Sequence, residues 1–361
     1  MKCNSTLTLR DLGERRIVQE LIIPRFPALA DHIVAIGDDA VVLPPVPGDQ
    51  AIVLTTDPCP TPVVCLIEQP DMFHYGWMTM LINVSDLAAM GARPTGLLVS
   101  TVMPETMLCR DYMRFLDGLE EASKIWECPV LGGNIKDGST FTATGTAIGM
   151  VKPEHAMRRN NAKPGDLVCV IGEMGLFFAA IISHLYKIQL DKQDTEAITA
   201  ALHRPMAKLS EGIAMAESGL VTACMDSSDG VGGCLYELAT ANSVDIIIAG
   251  ISLRSNRTVE RVAKSAMIDP RKLMLAWGSW ELVCTIRPDA LSTLQKLMLP
   301  FGTTISAIGE VQHGTGKVWF EENEQTRELT NFASERFSAT SMFTYGLDAY
   351  MEWFLSEPLT T

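Results

Sequence analysis

Asn83-Val84-Ser85-Asp86-Leu87-Ala88-Ala89-Met90-Gly91-Ala92 is the stretch on which the reading of this chain turns. It closes a helix predicted from about Met72 to Met90. Trp77, Leu81, Val84 and Ala88 recur on one face, and Gly91 suits the left-handed residue that ends helices. Asn83 and Asp86, three apart, share a different face. Met80-Leu81-Ile82 and Leu87-Ala88-Ala89-Met90 flank them, so that face is mostly buried. A buried amide and carboxylate are costly without partners, which makes Asp86 a candidate ligand.

Outward from this run, acidic residues recur in short clusters flanked by small residues: Gly37-Asp38-Asp39-Ala40, Thr55-Thr56-Asp57 and Asp226-Ser227-Ser228-Asp229-Gly230, with Gly132-Gly133-Asn134 between the last two. Singly, each reads as a turn or a cap. In Asp226–Asp229 two like charges repel unless a cation or donor lies between them, and an N-cap explains only one of them. Clusters at strand ends and helix starts suit several Mg²⁺ ions held against a polyphosphate, because Mg²⁺ takes hard oxygen ligands and keeps phosphates in its shell.

A chain of 361 residues, 47% hydrophobic and 20% charged, predicts two soluble globular domains. The net charge of −14 argues against a nucleic-acid binder. The nine cysteines form no C-x-x-C pair, which points to a reducing cytoplasm and to apolar filling rather than zinc or disulfides. The N-terminus has no apolar run of a signal peptide, and no apolar stretch is long enough to span a membrane.

A helix is expected over 11–29, then strands over Ala40–Leu43, Ala51–Thr56, Gly96–Met103 and Phe141–Met150, with a second helix from Glu105 to Trp126. A turn at Lys163-Pro164-Gly165-Asp166 marks a break, which divides the chain into domains 1–152 and 153–361. Beyond it come a strand at Leu167–Ile171, a helix at Leu176–Tyr186, a polar loop around Gln189–Asp194, a helix near Ala207–Glu217 and a strand at Thr222–Met225 entering the Asp226 cluster. Further strands are expected at Val244–Ala249, Glu281–Ile286 and Thr304–Ile308, with a peripheral tail after Glu352. His184 reads as a core residue of its apolar helix. There is no Gly-x-x-x-x-Gly-Lys-Ser/Thr loop, no Gly-x-Gly-x-x-Gly opening a helix and no Gly-x-Ser-x-Gly elbow. Arg159, beside the break, is placed to neutralise a phosphate.

In this order the clusters resemble thiamine-monophosphate kinase and its superfamily, which includes aminoimidazole ribonucleotide synthetase and selenophosphate synthetase. The matching segments are Ile36–Ala40, Asn83–Ala92, Ala162–Asp166 and Asp226–Gly230. The resemblance implies an α/β (α+β), two-domain aminoimidazole ribonucleotide synthetase-like fold. Its N-terminal half-barrel is completed by a second subunit in a homodimer, and its C-terminal α/β domain closes over ATP and the acceptor. It further implies that Asp39, Thr55, Thr56, Asp57, Asp86, Asp226 and Asp229 are Mg²⁺ ligands, with Asp57, Asp226 and Asp229 central to catalysis. Ser228, Arg159, Gly133 and Asn134 would contact ATP.

The sequence departs from that pattern on the acceptor side. Gly132-Gly133-Asn134 replaces Gly-Gly-Asp, and no His follows the Thr-Asp strand, where Val64 stands. Ala276-Trp277-Gly278-Ser279-Trp280-Glu281-Leu282 replaces Gly-Gly-Glu-Asp-Tyr-Glu-Leu, so Gly278 and Ser279 take the place of two acids and only Glu281 remains. Val64, Gly278, Ser279 and Trp280 are the acceptor-pocket candidates; Trp277 and Trp280 either fill the core or stack on an acceptor. The expected activity is ATP- and Mg²⁺-dependent phosphoryl transfer to a small molecule other than thiamine phosphate. The alternatives are an amide- or carboxyl-activating ligase and a non-catalytic nucleotide-binding paralogue.

Overall fold

The computed structural model describes residues 41–46, 48–332 and 342–361, together with Gln19. The helix expected over 11–29, Gln19 aside, and the Gly37–Ala40 cluster with its metal candidate Asp39 lie outside the described residues.

Two sheets organise the described chain. The first contains β1 (Val41–Val46), β2 (Gln50–Pro58), β3 (Arg93–Met103), β4 (Val130–Asp137) and β5 (Thr142–Val151), in the order β1-β2-β5-β3-β4. All pairs are antiparallel except β3–β4. In β2, Ala51, Val53 and Thr55 alternate inward, as the period of two requires. Helix α1 (Met72–Met90) packs on this sheet and on α2 (Cys109–Ile125). Asp71 caps α1 by accepting from Phe73 N at 2.9 Å, and Gly91 ends it at φ 69°.

Two expectations need correction here. Gly132-Gly133-Asn134 lies in a strand, β4, that no propensity signals, because glycines weaken a strand; parallel pairing with β3 holds it. The first sheet therefore has five strands among the described residues, one more than expected. Helix α2 starts at Cys109 rather than Glu105, since Leu108 is still extended.

The second sheet runs β12-β11-β8-β10-β6-β9-β7. Its strands are β6 (Leu167–Ile171), β7 (Val221–Asp226), β8 (Val244–Ala249), β9 (Leu282–Ile286), β10 (Ile305–His313), β11 (Val318–Glu322) and β12 (Gln325–Glu328). Around it lie α3 (Leu176–Leu185), α4 (Lys192–His203), α5 (Leu209–Ser218), α6 (Val231–Asn242), α7 (Arg257–Ala266), α8 (Pro270–Leu275), α9 (Leu291–Met298) and α10 (Leu347–Ser356). Helix α4 occupies part of the expected polar loop: Asp191 caps it by accepting from Asp194 N at 3.0 Å. His184 is exposed at the last turn of α3 rather than buried.

The tail is not peripheral. Tyr350 and Phe354 of α10 are buried against Phe178. Lys272, buried on α8, donates to the carbonyls of Phe354 at 2.6 Å and Glu357 at 2.7 Å, satisfying acceptors that a helix end leaves open. No helix among the described residues is long and apolar enough to cross a membrane. Helix α1 joins the two halves, packing against α5 and β7.

Candidate active site

The seam between α1 and β7 gathers Thr55, Asp57, Asp86, Asp226 and Asp229. Strand alternation puts Thr55 and Asp57 on one face of β2 and Thr56 on the other. Thr55 Oγ1 donates to Asp86 Oδ2 at 2.5 Å. Thr56 instead donates to the carbonyl of Gly145 at 2.9 Å and meets Thr146 across β5; its hydroxyl is spent on the sheet. One residue before Asp86, the fully buried Ser85 donates to Asp226 Oδ2 at 2.6 Å. Consecutive helix residues diverge by about 100°, so Asp86 turns to β2 while Ser85 turns to β7. Ser228 Oγ reaches Asp226 Oδ1 at a longer 3.4 Å.

Asp86 and Asp226 are 8% and 3% exposed. Burial drives the Asp86 carboxyl well above the usual carboxylate range, reinforced by the charges of Asp226 and Asp57 and opposed by the Thr55 hydrogen bond. Burial also raises Asp226, to about 6; the Ser85 hydroxyl and the Arg159 charge pull it down, while Asp229 and Asp57 push it up. Four carboxylates and one guanidinium thus share one field. Arg159 is placed by Asn242 of α6, which donates to the Arg159 carbonyl at 2.7 Å and accepts from Ala162 N at 2.9 Å.

This donor set fits a divalent cation. The oxygens are hard, and the negative charge exceeds what Arg159 neutralises. Among the described residues no three His, Cys, Asp or Glu side chains form a ready-made cage. Mg²⁺ needs none, because it is held by one or two carboxylates together with water and substrate phosphates.

The remaining candidates lie around this core. Asp57, Gly145, Val99 and Gly133 form one row across β2, β5, β3 and β4. Gly133 and Asn134 therefore sit level with Asp57 but three strand spacings away, about 14 Å, on the exposed edge strand. Val64 is buried in a single turn, Val64–Ile67, after β2. Trp277 and Trp280 are both buried and pack against Phe177. The Trp280 indole N–H has no hydrogen-bond partner among the described residues. Gly278 has φ 93°, and a Cβ there would lie 2.5 Å from the Phe177 ring.

Sequence reasoning missed Ser85, Ser227 and Glu281 as parts of this site. Ser85 carried a signal, a third polar residue beside Asn83 and Asp86 on an apolar helix. Glu281 was noted only as a remnant of a motif.

Two sheets joined by an acidic seam that fits a divalent cation define a two-domain fold of the aminoimidazole ribonucleotide synthetase type. Comparison with known proteins gives the family. Residues 37–151 match the N-terminal domain of AIR synthase related protein, and residues 163–320 match its C-terminal domain. The thiamine-monophosphate kinase of Pyrococcus abyssi is 30% identical over 256 residues, covering 70% of this chain and 76% of that protein. That of Bacillus subtilis is 27% identical over 316 residues, covering 84% and 93%. The crystal structure of thiamine-monophosphate kinase from Stenotrophomonas maltophilia K279a superposes with a TM-score of 0.68 at 26% identity, over 82% of this chain and 93% of that one. AaThiL complexed with AMPPCP and TMP gives a TM-score of 0.77 at 24% identity over 92% and 99%, a likeness of fold. The chain belongs to the AIR synthase related family, in its thiamine-monophosphate kinase-like branch, and its enzyme class is that of an ATP-dependent phosphotransferase.

Proposed function

We propose that this chain transfers the γ-phosphoryl group of Mg²⁺-ATP to a small molecule other than thiamine phosphate. The observation that carries the reading is the Asp57–Asp86–Asp226–Asp229 cluster, whose two buried members are held above the usual carboxylate range by burial and by the neighbouring negative charges. These four residues would hold Mg²⁺, which when bound offsets charge on the phosphates. Asp39 belongs to the same motif set. Arg159 and Ser228, beside Asp226, would receive phosphate oxygens, and Arg159 would steady charge during in-line transfer without a covalent enzyme intermediate. The division into domains 1–152 and 153–361 separates the half with Asp57 and Asp86 from the half with Asp226 and Asp229.

The pocket candidates support an altered acceptor. Acids suit a cationic thiazolium, and Gly278 and Ser279 supply none. Gly278 is also packed under Phe177, so this wall is built for a small residue. The buried Trp280 N–H, without a hydrogen-bond partner among the described residues, is the neutral donor proposed for this wall instead. Assembly as a homodimer is supported by edge strand β4, whose Val130, Leu131 and Ile135 are exposed beside Leu98 of β3. An open apolar edge is usually covered, and a partner there would extend the row containing Gly133 and Asn134. The reading also places the protein in the cytoplasm, where ATP and reduced thiols are found.

A coupled ADP-release assay tests this. ATP affinity should depend on Mg²⁺, and thiamine phosphate should give far less than about 1 s⁻¹ turnover, the low end for kinases. Turnover at that rate would overturn the altered acceptor; equal ATP affinity in EDTA and in Mg²⁺ would overturn the metal reading.

A further inference from the structure

The loop Asp226–Gly230 of the candidate metal site is not self-supporting. Ser227 N donates to the Glu281 carbonyl at 2.8 Å, and Ser227 Oγ donates to Glu281 Oε2 at 2.9 Å. One residue grips both the backbone and the side chain of Ser227, and it does so as a continuation of the β7–β9 ladder, where Asp226 faces Leu282. Gly278 N adds a bond to the Ser228 carbonyl at 3.3 Å. The 276–281 segment and the aspartate loop are thus zipped together. Glu281 is 2% exposed, a position at which a carboxyl persists only with partners. Gly172 lets the Lys208 stem approach it: a Cβ on Gly172 would lie 2.9 Å from both Lys208 Cε and Glu281 Cγ.

We propose that Glu281 is a positioning residue that holds the Asp226–Asp229 loop in its cation-binding shape through Ser227, and so links the acceptor wall to the metal site. The inference rests on the Mg²⁺-ATP reading above. Glu281 is the one acid of that motif present here, and its side-chain partner is Ser227 of the aspartate loop.

The test uses the full chain as wild type, Glu281→Ala, Glu281→Gln, Ser227→Ala and the Glu281→Ala/Ser227→Ala double variant, with thermal midpoints to confirm folding. Two quantities are read: hydrogen exchange of amides 226–230 in metal-free protein, and the Mg²⁺ concentration that half-saturates ATP binding by calorimetry. Glu281→Ala should speed exchange in the loop and raise the Mg²⁺ half-saturation about tenfold, the scale of one hydrogen bond to a charged group. Ser227→Ala should do the same if Glu281→Ala does not fold. The double variant should add little, and Glu281→Gln, whose amide oxygen still accepts from Ser227, should stay within about twofold of wild type. Unchanged exchange, an unchanged Mg²⁺ requirement in a folded alanine variant, or fully additive single effects would overturn the role. If wild type itself binds ATP without regard to Mg²⁺, the metal reading falls, and the exchange measurement still decides whether Glu281 holds the loop.

Discussion

Ser85 Oγ lies 2.6 Å from Asp226 Oδ2, a buried hydrogen bond between a helix of the first half and a strand end of the second. Its neighbour Asp86 is tied to Thr55 on β2. Two adjacent residues of one helix therefore fix the two sides of the candidate metal site relative to each other.

Removing that hydroxyl should harm both folding and binding. Ser85→Ala leaves a buried carboxylate short of a donor, a loss of about 1–3 kcal/mol. It also removes a contribution that holds the Asp226 pKa down, so more of the carboxyl is protonated at neutral pH and Mg²⁺ binds less well. Denaturant unfolding and Mg²⁺ titration of ATP binding check this; a variant equal to wild type in both would show that the bond carries no weight.

In the metal-free protein the stability contributed by Asp226 should be lost as pH rises. The folded pKa of Asp226, about 6, lies above its ordinary 3.8, so its contribution is fully present below pH 3.8 and is lost as pH rises through about 6. The shift corresponds to about 3 kcal/mol. Asp226→Asn removes the titration while keeping an acceptor for Ser85. In EDTA it should unfold at a higher temperature than wild type at pH 8 and show no such gain near pH 4; in Mg²⁺-ATP at pH 8 the order should reverse. A pH-independent difference would refute the assignment.

Gly230→Ala should disable the loop. Gly230 has φ 96° and ψ 150°, a region that only glycine enters readily. A Cβ there would also lie 2.9 Å from backbone atoms of Ala276 and Trp277. Strain of about 1–3 kcal/mol would be relieved only by parting the two segments, so ATP affinity in Mg²⁺ should fall more than the thermal midpoint suggests.

The C-terminal helix should be essential to the second half. Lys272→Ala strips donors from the carbonyls of Phe354 and Glu357 and removes the ammonium stacked over the Phe332 and Phe354 rings. A loss of about 2–4 kcal/mol in urea unfolding is expected. Burial lowers the Lys272 pKa, so Lys272→Met, apolar and of similar length, should recover part of the loss; an unchanged alanine variant would contradict the clamp.

How legible the candidate site was depended on the kind of signal. Asp57, Asp86, Asp226 and Asp229 announced themselves because charge beside apolar or small residues is costly without a purpose. Helix α1 was legible from its period and its Gly91 stop. Strand β4 was not, since Gly132 and Gly133 carry no strand preference and only pairing with β3 makes them one. Helix α4 was hidden in polar residues, and α10 looked like a tail because nothing local shows that Lys272, some eighty residues earlier, binds its end.

The amino-acid order by itself determined the fold class, the long amphipathic helix and the set of acidic side chains, because periodicity, caps and uncompensated charge are local properties. Only the tertiary structure decided which of them meet. Strand alternation sent Thr55 and Asp57 to the cluster and Thr56 to the neighbouring strand. The turn of α1 aimed Ser85 and Asp86 at different halves. Chain reversal brought Glu281 onto Ser227, fifty-four residues away. Such pairings depend on how distant segments pack, and no local pattern encodes them.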